Sequence, residues 1–131
     1  LTPPKVASAE DDGLLTTADI AGLRLDADFV ILSACNSAAG SADQQEGLSG
    51  LASAFFLAGA RSLLVSHWPV YSDAATRLTS GLVEAMAEDP GIGRAEALRR
   101  SMLAVLDDPS AEARSLHPAY WAPFLIAGEG G

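Results

Sequence analysis

A short apolar run from Phe29 to Leu32 constrains the fold of this chain more than any other stretch. The run is rich in branched side chains, Asp28 precedes it, and small, polar and glycine residues follow it from Asn36 to Gly40. This pattern is typical of a strand that is buried on both faces, as in the centre of a parallel sheet. A second run of the same kind, Arg61 to Ser66, predicts a second buried strand.

The segments around these runs have helical spacing. We expect a short helix within 14–25, capped by Thr16 or Thr17, and longer helices over about 47–58, 72–88 (capped by Ser72) and 94–106. A last strand is expected over 124–126, and because Pro123 cannot donate a ladder hydrogen bond, this strand should begin there or lie at an edge. The order β-α-β-α-α-β predicts an α/β fold with parallel pairing. The helical residues expected to face the core are Ile20, Leu23, Leu48, Leu51, Ala52, Phe55, Ala75, Leu78, Leu82, Val83, Met86, Ala95, Leu98, Met102 and Val105.

Composition excludes several classes of function. The 131 residues are 49% hydrophobic, enough for a core, and their net charge of −9 disfavours nucleic acid and anionic membranes as partners. A single cysteine rules out an internal disulfide and fits a cytoplasmic setting, and with two separated histidines it does not form a zinc site. We find no phosphate-binding glycine loop, signal peptide or uninterrupted apolar run of about 18 residues. We therefore expect no metal, cofactor or membrane span. Because the chain starts at Leu1 rather than Met, we expect it to come from a longer protein.

Cys35 follows the first predicted strand, at the edge where open α/β sheets place their reacting groups. A lone thiol at that point is a candidate nucleophile, and a buried structural cysteine is the other interpretation. The thiol needs a base, because only the thiolate attacks. His67 also follows a strand, and if the two strands are neighbours, about 5 Å apart, Cys35 and His67 could form a dyad. Alternatively, His67 lines the cleft beside the nucleophile.

Two further residues are candidates for the same site. Trp68 is either a packed aromatic or a wall for a peptide side chain. Asp73 is expected in the first turn of a helix, where a carboxylate is favourable in any case, or it faces the cleft and selects a basic or polar group. For His117, which precedes a proline, we expect no catalytic role.

Residues 32–40, with the sequence LSACNSAAG, resemble the signature of CHAT domains. These are caspase-like domains of bacteria and eukaryotes that often follow tetratricopeptide repeats. The similarity is co-linear over essentially the whole chain. The other matching stretches are 12–16 (DGLLT), 48–61 (LSGLASAFFLAGAR), 65–70 (VSHWPV), 95–99 (AEALR) and 117–124 (HPAYWAPF).

The resemblance implies a caspase-like fold, a three-layer α/β/α sandwich whose mostly parallel sheet ends in an antiparallel edge strand. It also implies a cysteine endopeptidase in which Cys35 is the nucleophile and its own backbone N–H contributes to the oxyanion site. The residue before the cut would bind in a cleft lined by residues 66–73. The residues of that cleft to which we assign a role are Ser66, His67, Trp68 and Asp73.

The same resemblance implies that the catalytic base is a different histidine from His67. In the family the histidine comes from upstream of the DGLLT stretch, which places it before Leu1, and relatives often carry leucine at the position of His67. Tyr71 also stands where many relatives have aspartate, which leaves the side-chain preference at the cut open. Residues 1–131 are therefore predicted to be the carboxyl-terminal part of a single CHAT domain, inactive unless the upstream half is supplied.

The predicted partners are a peptide or protein substrate, the upstream half of the same domain and tetratricopeptide repeats. A non-catalytic interaction module of the same fold is the alternative function. A Rossmann-like domain for a small ligand is a third interpretation, which the lack of a glycine phosphate loop disfavours.

Overall fold

The computed structural model describes residues 15–32 and 45–131. In this part of the chain three strands form one mixed sheet in the order β1-β2-β3. Strand β1 pairs in parallel with β2, with Val30 opposite Leu63, and β2 pairs with β3 in antiparallel fashion. The mixed sheet with an antiparallel last strand confirms the predicted fold class. The strand bounds are Val30–Ile31 (β1), Ser62–Ser66 (β2) and Phe124–Gly128 (β3).

The four predicted helices are present in the predicted order, whereas a short fifth helix before β3 was not predicted. A single 3-10 turn, Ala113–Leu116, lies between the fourth helix and the short fifth one. The helix bounds are Thr17–Ala21 (α1), Gln45–Leu57 (α2), Ser72–Glu88 (α3), Arg94–Leu106 (α4) and Pro118–Trp121 (α5). None of the helices in the described part of the chain is both long enough and apolar enough to cross a bilayer.

Strand β2 lies at the centre of the core because both of its faces are covered. Every residue of β2 is buried. Leu64 belongs to an apolar cluster with α3 and α4, including Leu78 and Leu98. Its neighbour Leu63 points to the opposite face, where it belongs to a second apolar cluster, and Phe55 of α2 packs against that cluster. The sheet is therefore the middle layer of an α/β/α sandwich.

Strand β1 differs from its prediction. Ile31 is 38% exposed, and Val30 and Leu32 are only half-buried, so this strand is not buried on both faces. Among residues 15–32 and 45–131, β1 pairs with β2 alone, which leaves its other edge without a strand neighbour. The apolar run therefore predicted the strand correctly, but in the described part of the chain the strand is less buried than predicted.

The helical core faces also differ from prediction at several positions. Leu23, Val83 and Ala95 are exposed, whereas Ala74 and Ala97 are fully buried. The core side of α3 therefore centres on Leu78 and Leu82, with Ala74 one turn earlier. Ser72 is the first residue of α3 rather than its cap; Tyr71 holds the cap position without a side-chain hydrogen bond.

The start of α1 and the turn after α2 are formed by residue types that favour these positions. Thr16 caps α1 by accepting a hydrogen bond of 3.2 Å from the Asp19 backbone N–H, and the Asp19 carboxylate accepts from the Thr16 N–H. Gly59 follows α2 with φ of +102°, a conformation that side chains other than glycine rarely adopt.

Candidate cleft beside the carboxyl ends of β1 and β2

The parallel pairing of β1 with β2 brings the carboxyl ends of both strands to one edge of the sheet. The Leu32 N–H still donates to the Leu64 carbonyl at 2.9 Å, so the chain is paired with β2 three residues before Cys35. Cys35 itself lies outside the described residues, and its role as the nucleophile stays a prediction. The cleft residues after β2 are described, and their geometry follows.

Ser66 and His67 continue β2 in different environments. Ser66 is fully buried opposite Phe124 of β3, so its side chain supports the edge from inside rather than presenting a surface. The His67 N–H donates to the Pro123 carbonyl at 2.8 Å, which extends the pairing with the β3 segment by one residue. The His67 side chain is exposed, and its ring lies 6.2 Å from the Trp68 ring at an angle of 24°.

Trp68 links the exit of β2 to α5. Its ring is half-buried, and the indole N–H donates to the Ala119 carbonyl at 3.1 Å. The hydrogen bond fixes the orientation of the indole, since its ring nitrogen is its only donor. One face of a fixed, partly exposed aromatic ring is suited to contact a peptide side chain.

Asp73 lies in the first turn of α3 and joins two elements that are distant in sequence. Its Oδ2 atom accepts a hydrogen bond of 2.9 Å from the Arg114 guanidinium and one of 3.1 Å from the Tyr120 hydroxyl. Desolvation would raise the pKa of this carboxyl, but the Tyr120 hydrogen bond, backbone N–H groups and the charge of Arg114 hold the pKa below its usual value. Asp73 is therefore a carboxylate at neutral pH.

Tyr120 completes this group of side chains. Desolvation, together with its hydrogen bond to the negative Asp73, raises the pKa of the Tyr120 phenol, so the hydroxyl remains a donor at neutral pH. The Tyr71 ring is stacked beside the Tyr120 ring, with centroids 6.2 Å apart. We refer to Tyr71, Asp73, Arg114 and Tyr120 as the Asp73 cluster.

Sequence reasoning found Asp73 and noted Tyr71, but it missed the other two members of the Asp73 cluster. Arg114 is 41 residues from Asp73 in the sequence, and Tyr120 is 47 residues away. No local spacing links residues so far apart, since only the fold brings the 3-10 turn and α5 onto the start of α3. His117 caps α5, because its Nδ1 atom accepts a hydrogen bond of 3.1 Å from the Ala119 N–H. This contact is a structural role for His117.

The described residues offer no group of three histidine, cysteine, aspartate or glutamate side chains that could hold a metal ion. The contacts around the cleft are hydrogen bonds, ring contacts and the ion pairs of Arg114 with Asp73 and Glu112.

Comparisons with known proteins agree with the architecture. The chain is 35% identical over 115 residues to tetratricopeptide repeat protein 28 of the mouse and 33% identical over 115 residues to the human protein of that name. Each alignment covers 88% of this chain but only 4% of the relative, so the chain spans a small part of the curated proteins it matches. No solved structure matches at a significant level. The sequence model of the CHAT domain matches residues 3–129, and the chain therefore belongs to the CHAT domain family.

Proposed function

We propose that residues 1–131 are the carboxyl-terminal part of a caspase-like cysteine endopeptidase domain in which Cys35 is the nucleophile. The observation that carries the proposal is the parallel register of β1 and β2, with Ile31 opposite Leu64. Because of this register, β1 and β2 end at the same edge of the sheet, and His67, Trp68 and Asp73 follow the end of β2. In open α/β sheets this edge is where ligands bind.

The proposed chemistry is acyl transfer through a thioester. The Cys35 thiol gives its proton to a histidine, and the sulfur forms a bond to the peptide carbonyl carbon. The oxyanion that forms is stabilised by backbone N–H groups, including that of Cys35. As the C–N bond breaks, the histidine returns the proton to the leaving amine, and water then hydrolyses the thioester. The base histidine is expected upstream of Leu1, so this chain needs the upstream half for activity.

The four cleft residues have separate parts in this proposal. Trp68 and His67 form a stacked aromatic wall beside the nucleophile, and Ser66 supports that wall from the interior. Asp73 contributes a carboxylate that selects a basic or polar group of the peptide. The net charge of −9 also supports a protein or peptide partner over nucleic acid or an anionic membrane.

The test uses the intact protein and a peptide-based reagent that labels cysteine, such as a peptidyl acyloxymethyl ketone. We expect covalent labelling of the parent protein and none of Cys35→Ala. In a matched control, Cys35→Ala is combined with Ser53→Cys, which restores one thiol at an exposed position of α2. We expect no peptide-directed labelling of this control. Equal labelling of the parent and of Cys35→Ala would contradict the proposal.

A further variant separates the two candidate bases. His67→Leu introduces the residue that relatives often carry at this position. If the base lies upstream, the labelling rate falls by less than about tenfold, because only the wall of the cleft changes. If His67 is the base, the rate falls by at least about a hundredfold, in line with the usual contribution of a general base.

A non-catalytic interaction module of the same fold is the second candidate. It is favoured by the relatives, which are named as tetratricopeptide repeat proteins. Repeats of this kind stack into extended surfaces that bind other proteins. In this case the intact protein would capture the same partners with Cys35→Ala as without it, and no peptide reagent would label the parent protein.

A further inference from the structure

Arg114 lies on the Asp73 carboxylate in the way that a basic side chain of a bound peptide would. Its Nη2 atom donates to Asp73 Oδ2 at 2.9 Å, and the Tyr120 hydroxyl donates to that same oxygen. The guanidinium carbon is 5.9 Å from the centre of the Tyr120 ring, which is within reach of a cation–π contact. A carboxylate next to aromatic rings is a common receptor for a cationic group.

Arg114 also forms part of the boundary between two cavities. One, of about 430 Å³, is lined by Tyr71, His117 and Ala119 among others. The other, of about 180 Å³, is lined by Arg77, Asp108 and Glu112 among others. Arg114 and Tyr120 line both cavities. Space is therefore present on both sides of the Arg114 side chain for the groups that would replace it.

The fold does not depend on Arg114 to hold the 3-10 turn in place. Ser115 is buried, and its hydroxyl donates to the Glu112 carbonyl at 2.7 Å. The Trp121 indole donates to the Leu116 carbonyl at 3.2 Å, which ties the other end of the turn to α5. These contacts remain when the Arg114 side chain moves away from Asp73.

The contact between Arg114 and Asp73 is also easily exchanged. The Arg114 side chain is 59% exposed and that of Asp73 is 48% exposed. Ion pairs that are exposed to this degree contribute little to stability, because water screens them. A second carboxylate, Glu112, accepts from Arg114 Nε at 3.0 Å and can keep the guanidinium when Asp73 is released.

We propose that Arg114 is an internal occupant of a binding site for an arginine or lysine side chain of a peptide, and that the peptide must displace it. The site consists of Asp73, Tyr71 and Tyr120. This inference rests on the proposed function, since it assumes that a peptide binds beside Trp68. It adds an autoinhibitory contact that lowers the affinity for basic peptides until Arg114 moves.

The test measures binding rather than cleavage. The intact protein carries Cys35→Ala, so no covalent step occurs and the result does not depend on the peptidase proposal. A fluorescent peptide, Gly-Arg-Gly-amide with a dye on its amino terminus, is titrated by anisotropy. The matched ligand replaces arginine by citrulline, which has nearly the same shape without the charge.

We expect Arg114→Gln to bind the arginine peptide roughly two- to fivefold more tightly than the parent, because an exposed ion pair no longer competes. The citrulline peptide should not gain affinity, and adding Asp73→Asn should remove the gain. Arg99→Gln is the charge-matched control: its guanidinium pairs with Glu96 on α4, and it should leave the affinity unchanged.

Three results would overturn the inference. They are an Arg114→Gln variant that binds no more tightly than the parent, equal gains for the arginine and citrulline peptides, and a gain that persists with Asp73→Asn. Thermal unfolding verifies that each variant is folded, and Arg114→Ala repeats the test at the same position. If Cys35 is not labelled but Arg114→Gln binds the arginine peptide more tightly, the protein is a peptide-binding module. If Cys35 is labelled but Arg114→Gln has no effect, the protein is a peptidase whose site is not blocked by Arg114.

Discussion

Strands β1 and β2 have similar sequences but very different environments. Both are short apolar runs with branched side chains, and both were predicted to be buried on two faces. All of β2 is buried, whereas Ile31 of β1 is 38% exposed. The difference lies in their neighbours, because β2 has a strand on each side and in the described part of the chain β1 has one.

The comparison shows which property a short apolar run encodes. The run indicates that the chain can form a strand in an apolar environment, since branched residues fit a pleated surface. Burial also depends on what packs on each face and edge, and those residues lie far away in sequence. For β2 they are the residues of α2, α3, α4 and β3, which cover Leu63 on one face and Leu64 on the other.

The largest expected effect on stability comes from shortening the buried side chains of β2. Leu63→Ala and Leu64→Ala should each lower the free energy of unfolding by about 2–5 kcal/mol, because both side chains are fully buried and each leaves a cavity. Ile31→Ala in β1 should cost about 1 kcal/mol or less, since much of that side chain already contacts water. Urea unfolding of the three variants measures the difference.

Equal losses for Leu64→Ala and Ile31→Ala would mean that β1 is as enclosed as β2. A large loss for Leu64→Ala with a small one for Leu63→Ala would mean that only one face of β2 is covered. The first result would contradict the contrast between β1 and β2, and the second would contradict the α/β/α arrangement.

The second-largest effect comes from straining the backbone of β3, which is the second strand neighbour of β2. Gly128 has φ of +90° and pairs with Ser62. A Cβ atom there would press into the Arg61 carbonyl oxygen and lie 2.9 Å from the Phe56 ring. Gly128→Ala should therefore cost about 1–3 kcal/mol, the usual range for a strained backbone, and hydrogen exchange of the β2 and β3 amides should accelerate.

Gly50→Ala provides the control for this substitution. Gly50 lies within α2, and among residues 15–32 and 45–131 a Cβ atom there would have no neighbour within 4 Å beyond the backbone of its own helix. Alanine should stabilise the helix by about 0.5–1 kcal/mol, so the two glycine substitutions have opposite signs. A Gly128→Ala variant as stable as the parent would show that β3 can shift without loosening β2.

Much of the fold could be predicted from the sequence, whereas the candidate site could be predicted only in part. The order of the predicted helices and strands follows from periodicity. The antiparallel edge strand was implied by the resemblance to CHAT domains, and Pro123 agrees with it. Ser66, His67, Trp68 and Asp73 were predicted as site residues because they lie at or after the end of a strand or at the start of a helix, and their roles stay predictions. Arg114 and Tyr120 were missed, because their contact with Asp73 depends on how three distant segments pack. The exposure of Val83 and Ala95 was missed for a related reason, since a helical stripe does not show which of its edges meets the sheet.

The third effect concerns the helix pair that covers the Leu64 face. Gly81 of α3 faces Ser101 of α4, and a Cβ atom at Gly81 would lie 2.7 Å from the Ser101 hydroxyl oxygen. Gly81→Ala should therefore be destabilising, because overpacking costs about 1–3 kcal/mol and the gain of alanine over glycine in a helix, about 0.5–1 kcal/mol, offsets only part of it. Ser101→Ala in the same chain should recover part of that loss, although it also removes the buried hydrogen bond of 2.8 Å to the Leu78 carbonyl.

A double-mutant cycle on unfolding free energies measures this coupling. The two losses should not add, because the residues are in contact. Simple additivity would mean that α3 and α4 separate readily at this point, and the Leu64 face would then resemble the loosely covered β1.

The smallest effect is electrostatic and compares an ion pair of the helical layer with one at the β1 edge. Arg77 of α3 pairs with Asp108 after α4, and the Asp108 side chain is 22% exposed. Arg61 pairs with Asp28 beside β1 at 2.5 Å, and the Asp28 side chain is 67% exposed. Because the second pair is more exposed to water, we expect Asp28→Asn to change the melting temperature at neutral pH less than Asp108→Asn does.

The pH dependence of the Asp108 pair has a defined direction. The Ser110 hydroxyl and backbone N–H, together with Arg77, lower the pKa of Asp108 from 3.8 to about 2. A carboxyl whose pKa is lower in the folded state stabilises the fold above its ordinary pKa, and this contribution is lost as the pH falls through the folded value. The difference in melting temperature between the parent and Asp108→Asn should therefore stay constant from pH 7 to pH 5 and shrink between about pH 4 and pH 2. If it grew as the pH fell, the carboxylate would be destabilising in the fold, and the hydrogen bonds from Ser110 would not stabilise this end of α4.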